Sequence, residues 1–417
     1  MVTDDGPSTA ALTRRGFGFV AVPVFSVLSP LLVLPILART SSVDDFASIA
    51  LGQSVGMTVA LAVSFGWTVT GPADVARVPP AERPGLWMDS VRMRSLAFAV
   101  LLVPTAAIAY FVDPSRDLLS PAMAVALLLS GFSPSWYGIG QGQPSIVILY
   151  DAIPRAAGNL VGVLLAVAFD SLYLYALVLA VSTIVPVAVL DRACRRAHDP
   201  GTIRTGSPIT MRSNLAPTLT ELVAGLYSMG STALVTGSVS SPQTIAVFSG
   251  GERFTRAGAA AIAVTNSALT AWVAESKGAV FRRRVTVSLA MHTVLGLAGA
   301  IGLGVLGPTF SALLLGESLR MSTGTGIAFG LFYLGWSLET VTARHILAAR
   351  RRTASLLNST IAGSAVGCLA IVVGGQHWGA TGAASGLAIG IFTVLAIQTP
   401  IAYGVVRREA DAAQVAA

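Results

Sequence analysis

Charge is what this chain has least of. Asp, Glu, Lys and Arg make up 11% of its 417 residues and hydrophobic residues 53%, whereas an ordinary soluble domain carries about 25% charged residues. With a mean hydropathy of +0.72, these figures exclude a soluble globular protein and leave a polytopic membrane protein. Apolar runs of about 20 residues recur along the chain, the length a spanning helix needs; barrel strands are shorter and alternate. Cysteine is nearly absent too. The two present, Cys194 and Cys368, are placed in a cytosolic loop and inside a span, so no disulfide is expected, and no metal-ligand spacing exists. Catalytic signatures are also missing: there is no GxxxxGK loop, no HExxH and no nucleophile elbow. No cofactor is expected, and the chain reads as a non-enzyme.

Twelve helical spans are predicted, at about 17–38, 46–69, 95–112, 119–138, 145–168, 172–190, 213–236, 243–273, 285–306, 322–341, 354–374 and 381–403. Residues 1–13 are polar. The following Arg14 and Arg15 admit a twin-arginine export signal, but the apolar run after them is long, carries Pro23, Pro30 and Pro35, and reads better as a first span kinked by prolines. The organisation expected is a six-helix half over 1–190, a basic connector over 191–212, a second six-helix half over 213–403 and a tail over 404–417. FASIALGQSVG from Phe46 and TIAVFSGGERF from Thr244 open the second span of each half, a weak internal repeat. Paired six-span halves are a known transporter architecture.

Basic residues choose the sidedness. With the N-terminus in the cytosol, 21 of the 27 Lys and Arg fall in cytosolic segments. Only Arg39, Arg116 and Arg320 fall in outer loops, and Arg155, Arg253 and Arg256 fall inside spans. The positive-inside rule thus puts both termini in the cytosol. It also accounts for the net charge of +7 without nucleic acid. The short outer loops leave no room for an extracytoplasmic catalytic domain.

The informative residues are therefore the ionisable ones within spans, where a charge at the bilayer centre costs about 2.5–3.5 kcal/mol on insertion scales. Val247 to Trp272 is small and apolar, yet holds Glu252, Arg253 and Arg256. Glu252 and Arg256 share a helix face and offset each other, whereas Arg253 sits about 100° around the helix. In the fifth span Asp151 and Arg155 are likewise four apart, with Pro154 between them; they read either as a self-neutralising packing pair or as a polar patch on a water-filled cavity. Glu221, in the seventh span near Pro217, is either a hydrogen-bonded neutral carboxyl or a coupling-ion site. Asp151, Glu221 and Glu252 are the ion-coupling candidates. His292 reads as a hydrogen-bonded packing residue, and Glu339 and Asp170 as span-end residues. Trp67, Trp136, Tyr137, Trp336 and Trp378 read as an interfacial aromatic belt. Arginine presents a rigid fork of donors suited to phosphate, so Arg155, Arg253 and Arg256 are the substrate-binding candidates, for a substrate carrying phosphate or pyrophosphate.

Four motifs carry a family resemblance. IAVFSGGERFTRAG (245–258) resembles the start of the long eighth span of polysaccharide flippases in the multidrug/oligosaccharidyl-lipid/polysaccharide exporter superfamily. SPSWYGIGQGQPS (133–145) is similar to their turn and loop after the fourth span, GPTFSALLLGESLR (307–320) to the outer loop before the tenth, and HWGATGAASGLAIG (377–390) to the start of the twelfth. The chain departs from the pattern with Phe248 where tyrosine is usual, Arg253 in place of lysine, and the Ser-Gly-Gly of 249–251. The resemblance implies an all-α polytopic membrane protein of about 12 transmembrane helices in two six-helix halves around a central cavity. It implies a flippase that carries polyprenyl-pyrophosphate-linked oligosaccharide to the outer leaflet of a bacterial cytoplasmic membrane by alternating access. A proton or sodium gradient would drive it, with membrane lipids, a glycan polymerase and glycosyltransferases as partners. A drug/cation antiporter of the same superfamily and a membrane glycosyltransferase or polymerase are the alternatives. An antiporter predicts an acidic cavity, and an enzyme predicts paired catalytic groups on a sizeable outer loop.

Overall fold

A computed structural model describes residues 33–198, 211–274, 276–350 and 352–415, and among these every regular element is helical. The expected N-terminal polar segment, Arg14–Arg15 and most of the first span lie outside the described residues, as do 199–210 of the connector.

A short α1 (33–40) leads into α2 (Val43–Ser64) and α3 (Trp67–Arg77). Then follow α4 (Arg83–Val112), α5 (Leu119–Leu128), α6 (Ser135–Gly140), α7 (Pro144–Ala168) and α8 (Leu172–Ala197). The seventh span is broken into α9 (Met211–Ser228) and α10 (Ser231–Ser238). After it come α11 (Pro242–Ala274), α12 (Gly278–Leu315), and α13 (Thr323–Thr340), which runs on as a π-helical stretch, Val341–Ala348. The last helical run, α14 (Thr353–Val415), is 63 residues long and is interrupted at Trp378 and Gly379. Gly379 has φ +57°, a left-handed conformation that glycine adopts without steric cost; the two expected final spans thus meet at a glycine corner rather than across a loop.

Seven of the described helical segments are long and apolar enough to cross a membrane. They turn large apolar side chains outward, as Val103, Phe111 and Leu369 do. That is tolerable where the solvent is hydrocarbon, and helices keep their backbone groups satisfied there. The chain is an all-α polytopic membrane protein.

It divides into two compact units. One comprises residues up to Thr40 with Leu51–Leu222, the other Ser41–Ala50 with Val223–Ala417. The core of the first gathers Trp67, Leu86, Trp87, Phe132, Trp136 and Tyr137. The core of the second gathers Tyr227, Phe248, Phe329, Phe332 and Leu387. Within the second, Tyr227 donates its hydroxyl to the Leu387 carbonyl, and a Cβ on Gly367 or Gly390 would meet its ring. Glycine here is what lets α14 approach α9 closely.

Several expectations are corrected. The helix that carries the third span starts at Arg83, about twelve residues before the predicted span, so Arg94, expected in a cytosolic loop, lies within a helix and is wholly buried. Cys194, placed in a cytosolic loop, is in the last turns of α8 and buried, its thiol 3.8 Å from the Tyr137 hydroxyl. Trp67, Trp136 and Tyr137 are core residues, not an interfacial belt; only Trp378 of those five is strongly exposed, at 69%. The 307–320 motif, expected as a loop, is helical over Gly307–Leu315.

Candidate functional site

Each unit carries the same four-part arrangement: a largely shielded carboxylate, an arginine four residues on, and two hydroxyls from a neighbouring helix start. In the first unit Asp151 sits on a π-helical turn, Ile148–Ala152, at the head of α7. It accepts from Ser133 Oγ at 2.6 Å, from Ser135 Oγ, and from Arg155. The serines flank Pro134, which opens α6. In the second unit Glu252 on α11 accepts from Ser231 Oγ and, at 2.8 Å, from Thr232 Oγ1, the first two residues of α10. Arg256 Nη2 completes it at 2.8 Å and also donates to the Ser228 carbonyl at 2.7 Å, bracing the break between α9 and α10.

The i, i+4 spacing alone supplies the ion pairs. The hydroxyls are what make them tenable at depth: a carboxylate accepts at about four lone-pair positions, and each one left empty away from water costs free energy. In both pairs the acid is the shielded partner. The Asp151 and Glu252 side chains are 15% and 10% exposed, against 39% and 31% for Arg155 and Arg256. Each pair therefore turns its positive end outward.

Arg253 is half-buried, with its guanidinium carbon 5.1 Å from the centroid of the buried Phe46 ring. The two stretches noted as a repeat, from Phe46 and from Thr244, thus meet at this contact. A ring this close to a guanidinium attracts it electrostatically. The Ser-Gly-Gly that departs from the family pattern has a steric cause. A Cβ on Gly251 would collide with the Phe329 ring, which packs on Phe248 at 5.5 Å, and one on Gly250 would lie 2.6 Å from Leu315.

Of the other candidates, the Glu221 side chain falls outside the described residues. Asp170 is an exposed turn residue with φ +50°. Glu339 hydrogen-bonds Gln398 and has Arg344 as its charged neighbour. Sequence reading missed Arg94. Its Nε and Nη2 donate to the Ser90 carbonyl at 3.2 Å and hydroxyl at 2.8 Å, and Nη1 reaches the Ser133 carbonyl at 3.2 Å. Trp87, Phe132 and Trp136 surround its guanidinium carbon at 5.0–5.7 Å. The signal available was Ser90, one helical turn before an arginine and three residues after Trp87. The hydroxyl partners were also missed, though Ser-Pro-Ser and Ser-Thr at helix starts are recognisable sources of donors.

No protein-family model matches this chain, and no curated protein does. Solved structures do. Lipid II flippase MurJ in an inward closed conformation aligns with a TM-score of 0.65 at 13% identity, over 92% of this chain and 87% of that one. An inward-facing multidrug resistance MATE family transporter of the MOP superfamily aligns at 0.58 and 13%, over 97% and 96%. The eukaryotic MATE transporter AtDTX14 aligns at 0.57 and 13%, over 96% and 98%. The chain has the fold that MurJ and these MATE transporters share.

Proposed function

We propose that this protein is a flippase. Its substrate is an oligosaccharide linked to polyprenyl pyrophosphate, moved from the inner to the outer leaflet of a bacterial cytoplasmic membrane by alternating access. Both termini lie in the cytosol, and an ion gradient supplies the energy. The observation that carries this reading is the polarity of the two ion pairs. Both shield the acid and present the arginine, on a fold that a lipid II flippase also has. A cation exporter needs the reverse, since a positive surface repels a cationic drug. A pyrophosphate carries negative charge on paired oxygens that the planar arginine fork can bind bidentately. Arg155, Arg253 and Arg256 are the residues assigned to the head group, and Asp151, Glu221 and Glu252 remain candidates for ion coupling. Glycosyltransferases that build the glycan and a polymerase that consumes it are the partners this reading requires.

The MATE likeness supports a second reading, drug/cation antiport. Reconstitution separates them. Purified protein in proteoliposomes is expected to move a fluorescent polyprenyl-pyrophosphate-linked oligosaccharide between leaflets and to leave a cationic dye untransported. Transport of the dye with no movement of the lipid would replace the flippase with the antiporter.

A further inference from the structure

Two histidines in the second unit are wholly buried and face each other. His292 lies on α12 and His345 on the π-helical stretch that ends α13; both are 0% exposed, with ring centroids 5.5 Å apart and planes at 78°. One residue orients both. The Ser288 carbonyl stands 3.0 Å from His292 Nδ1, and the Ser288 hydroxyl 2.6 Å from His345 Nδ1. A carbonyl only accepts, so His292 Nδ1 must carry the hydrogen, and in the neutral ring Nε2 is then a bare lone pair. That Nε2 has no partner. A buried acceptor without a donor costs free energy, and α12 is held here by Ser337, which donates to the His292 carbonyl at 2.8 Å. Serine and two histidines are an expensive way to fill an apolar core.

We propose that His292 and His345 form a proton-binding site, which takes up one proton and releases it during the transport cycle; the assignment to transport rests on the flippase reading above. The argument is one of size and count. The rings are close-packed and fully buried, so the pair suits a proton and not a larger cation. Two imidazoles this near bind protons as a coupled pair, the first opposing the second, so one proton is the expected load. The Asn266 backbone carbonyl is a hydrogen-bond acceptor for the His345 ring.

The surrounding elements bring few competitors. α11 carries Glu252 and Arg256, bonded to each other, and Arg253. Glu339 of α13 has Arg344 and Gln398, and Glu409 of α14 is paired with Arg350 at 2.8 Å. His292 is the charged neighbour that acts on His345. The π-helical setting of His345 fits, since such widened turns cluster at functional sites.

The chain has four histidines, so the pair can be watched directly. In bilayers, protein labelled with 15N-histidine and carrying His198→Gln and His377→Gln shows only His292 and His345. The expected result is that the pair gains one proton as the pH is lowered, and that His345→Gln shifts the titration of His292. Two rings that stay neutral throughout, or that titrate independently, would overturn the site. In proteoliposomes, an inward proton gradient should accelerate flipping of the labelled polyprenyl-pyrophosphate oligosaccharide by wild-type protein. His292→Gln should lose that acceleration while keeping flipping without a gradient. Acceleration that survives in a folded His292→Gln protein would remove the pair from coupling. If wild-type protein moves no lipid at all, the flippase reading fails, and the titration still decides the proton site.

Discussion

Arg94 and Asp151 meet on one residue. Ser133 gives its carbonyl to Arg94 Nη1 at 3.2 Å and its hydroxyl to Asp151 Oδ2 at 2.6 Å. The serine thus joins a wholly buried arginine on α4 to the ion pair at the head of α7, through the turn that starts α6. Arg94 holds the backbone of this turn in place, and the turn in turn holds Asp151 and Arg155. The guanidinium is solvated by protein oxygens and aromatic faces, which is how a cation survives where water does not reach.

Arg94→Ala should therefore destabilise the protein by about 2–5 kcal/mol, through the cavity and the acceptors it strands. Arg94→Lys should recover part of this, because the charge remains but the fork that reaches Ser90 and Ser133 together does not. Thermal unfolding in detergent, followed by tryptophan fluorescence, measures both. Equal midpoints for wild type and Arg94→Ala would show that the buried cation contributes nothing to the fold.

Gly251 offers a packing test. Since a Cβ there would strike the Phe329 ring, Gly251→Ala should lower the yield of folded protein and its melting midpoint. Overpacking of this kind costs about 1–3 kcal/mol. The double change Gly251→Ala with Phe329→Leu should be more stable than Gly251→Ala alone, because the second substitution withdraws the obstacle. Strictly additive losses would place the strain elsewhere.

What the sequence made legible was whatever depends on spacing within one helix. Asp151 with Arg155 and Glu252 with Arg256 are readable because four residues nearly complete a turn, and both pairs form. The long apolar runs likewise revealed the helical membrane fold. What stayed hidden depends on distant partners. Arg94 follows Arg92 in a stretch that reads as a basic loop, and its partner Ser133 and the ring of Trp136 come about forty residues later. Trp67, Trp136 and Tyr137 lie near predicted span ends, where hydropathy cannot tell an interfacial ring from one stacked on its neighbours. Trp67 and Trp136 are in fact 4.8 Å apart, and Trp87 and Trp136 5.9 Å. His292 read as a packing residue because its fellow, His345, is on another helix.

Sidedness is tested by labelling. The positive-inside count puts the loop 113–118 outside and the connector inside, and moving Arg94 from loop to helix leaves that imbalance large. In a background lacking Cys194 and Cys368, Ser115→Cys should react with an impermeant thiol reagent added to intact cells. Thr205→Cys should react only after the membrane is opened. Labelling of Thr205→Cys from outside would reverse the orientation.

Arg253 is the residue on which the substrate assignment bears most directly. Its guanidinium carbon lies 5.1 Å from the centre of the Phe46 ring, and Arg256 donates to Glu252 and to the Ser228 carbonyl. A guanidinium restrained by a neighbouring ring has less side-chain entropy to lose on meeting a pyrophosphate. Arg253→Ala should accordingly abolish lipid flipping with normal membrane levels, since the Phe46 ring can settle onto neighbouring apolar groups. Arg253→Lys should keep a fraction of the activity: the charge survives, the bidentate geometry does not. Glu252→Gln should harm substrate binding less, because the amide can still accept from Ser231 or Thr232, and Arg256 loses an anchor without losing its charge. The measurement is flipping of the labelled lipid in proteoliposomes beside quantified protein. Wild-type rates for Arg253→Ala would take this arginine out of the mechanism and leave Arg155 as the residue to examine.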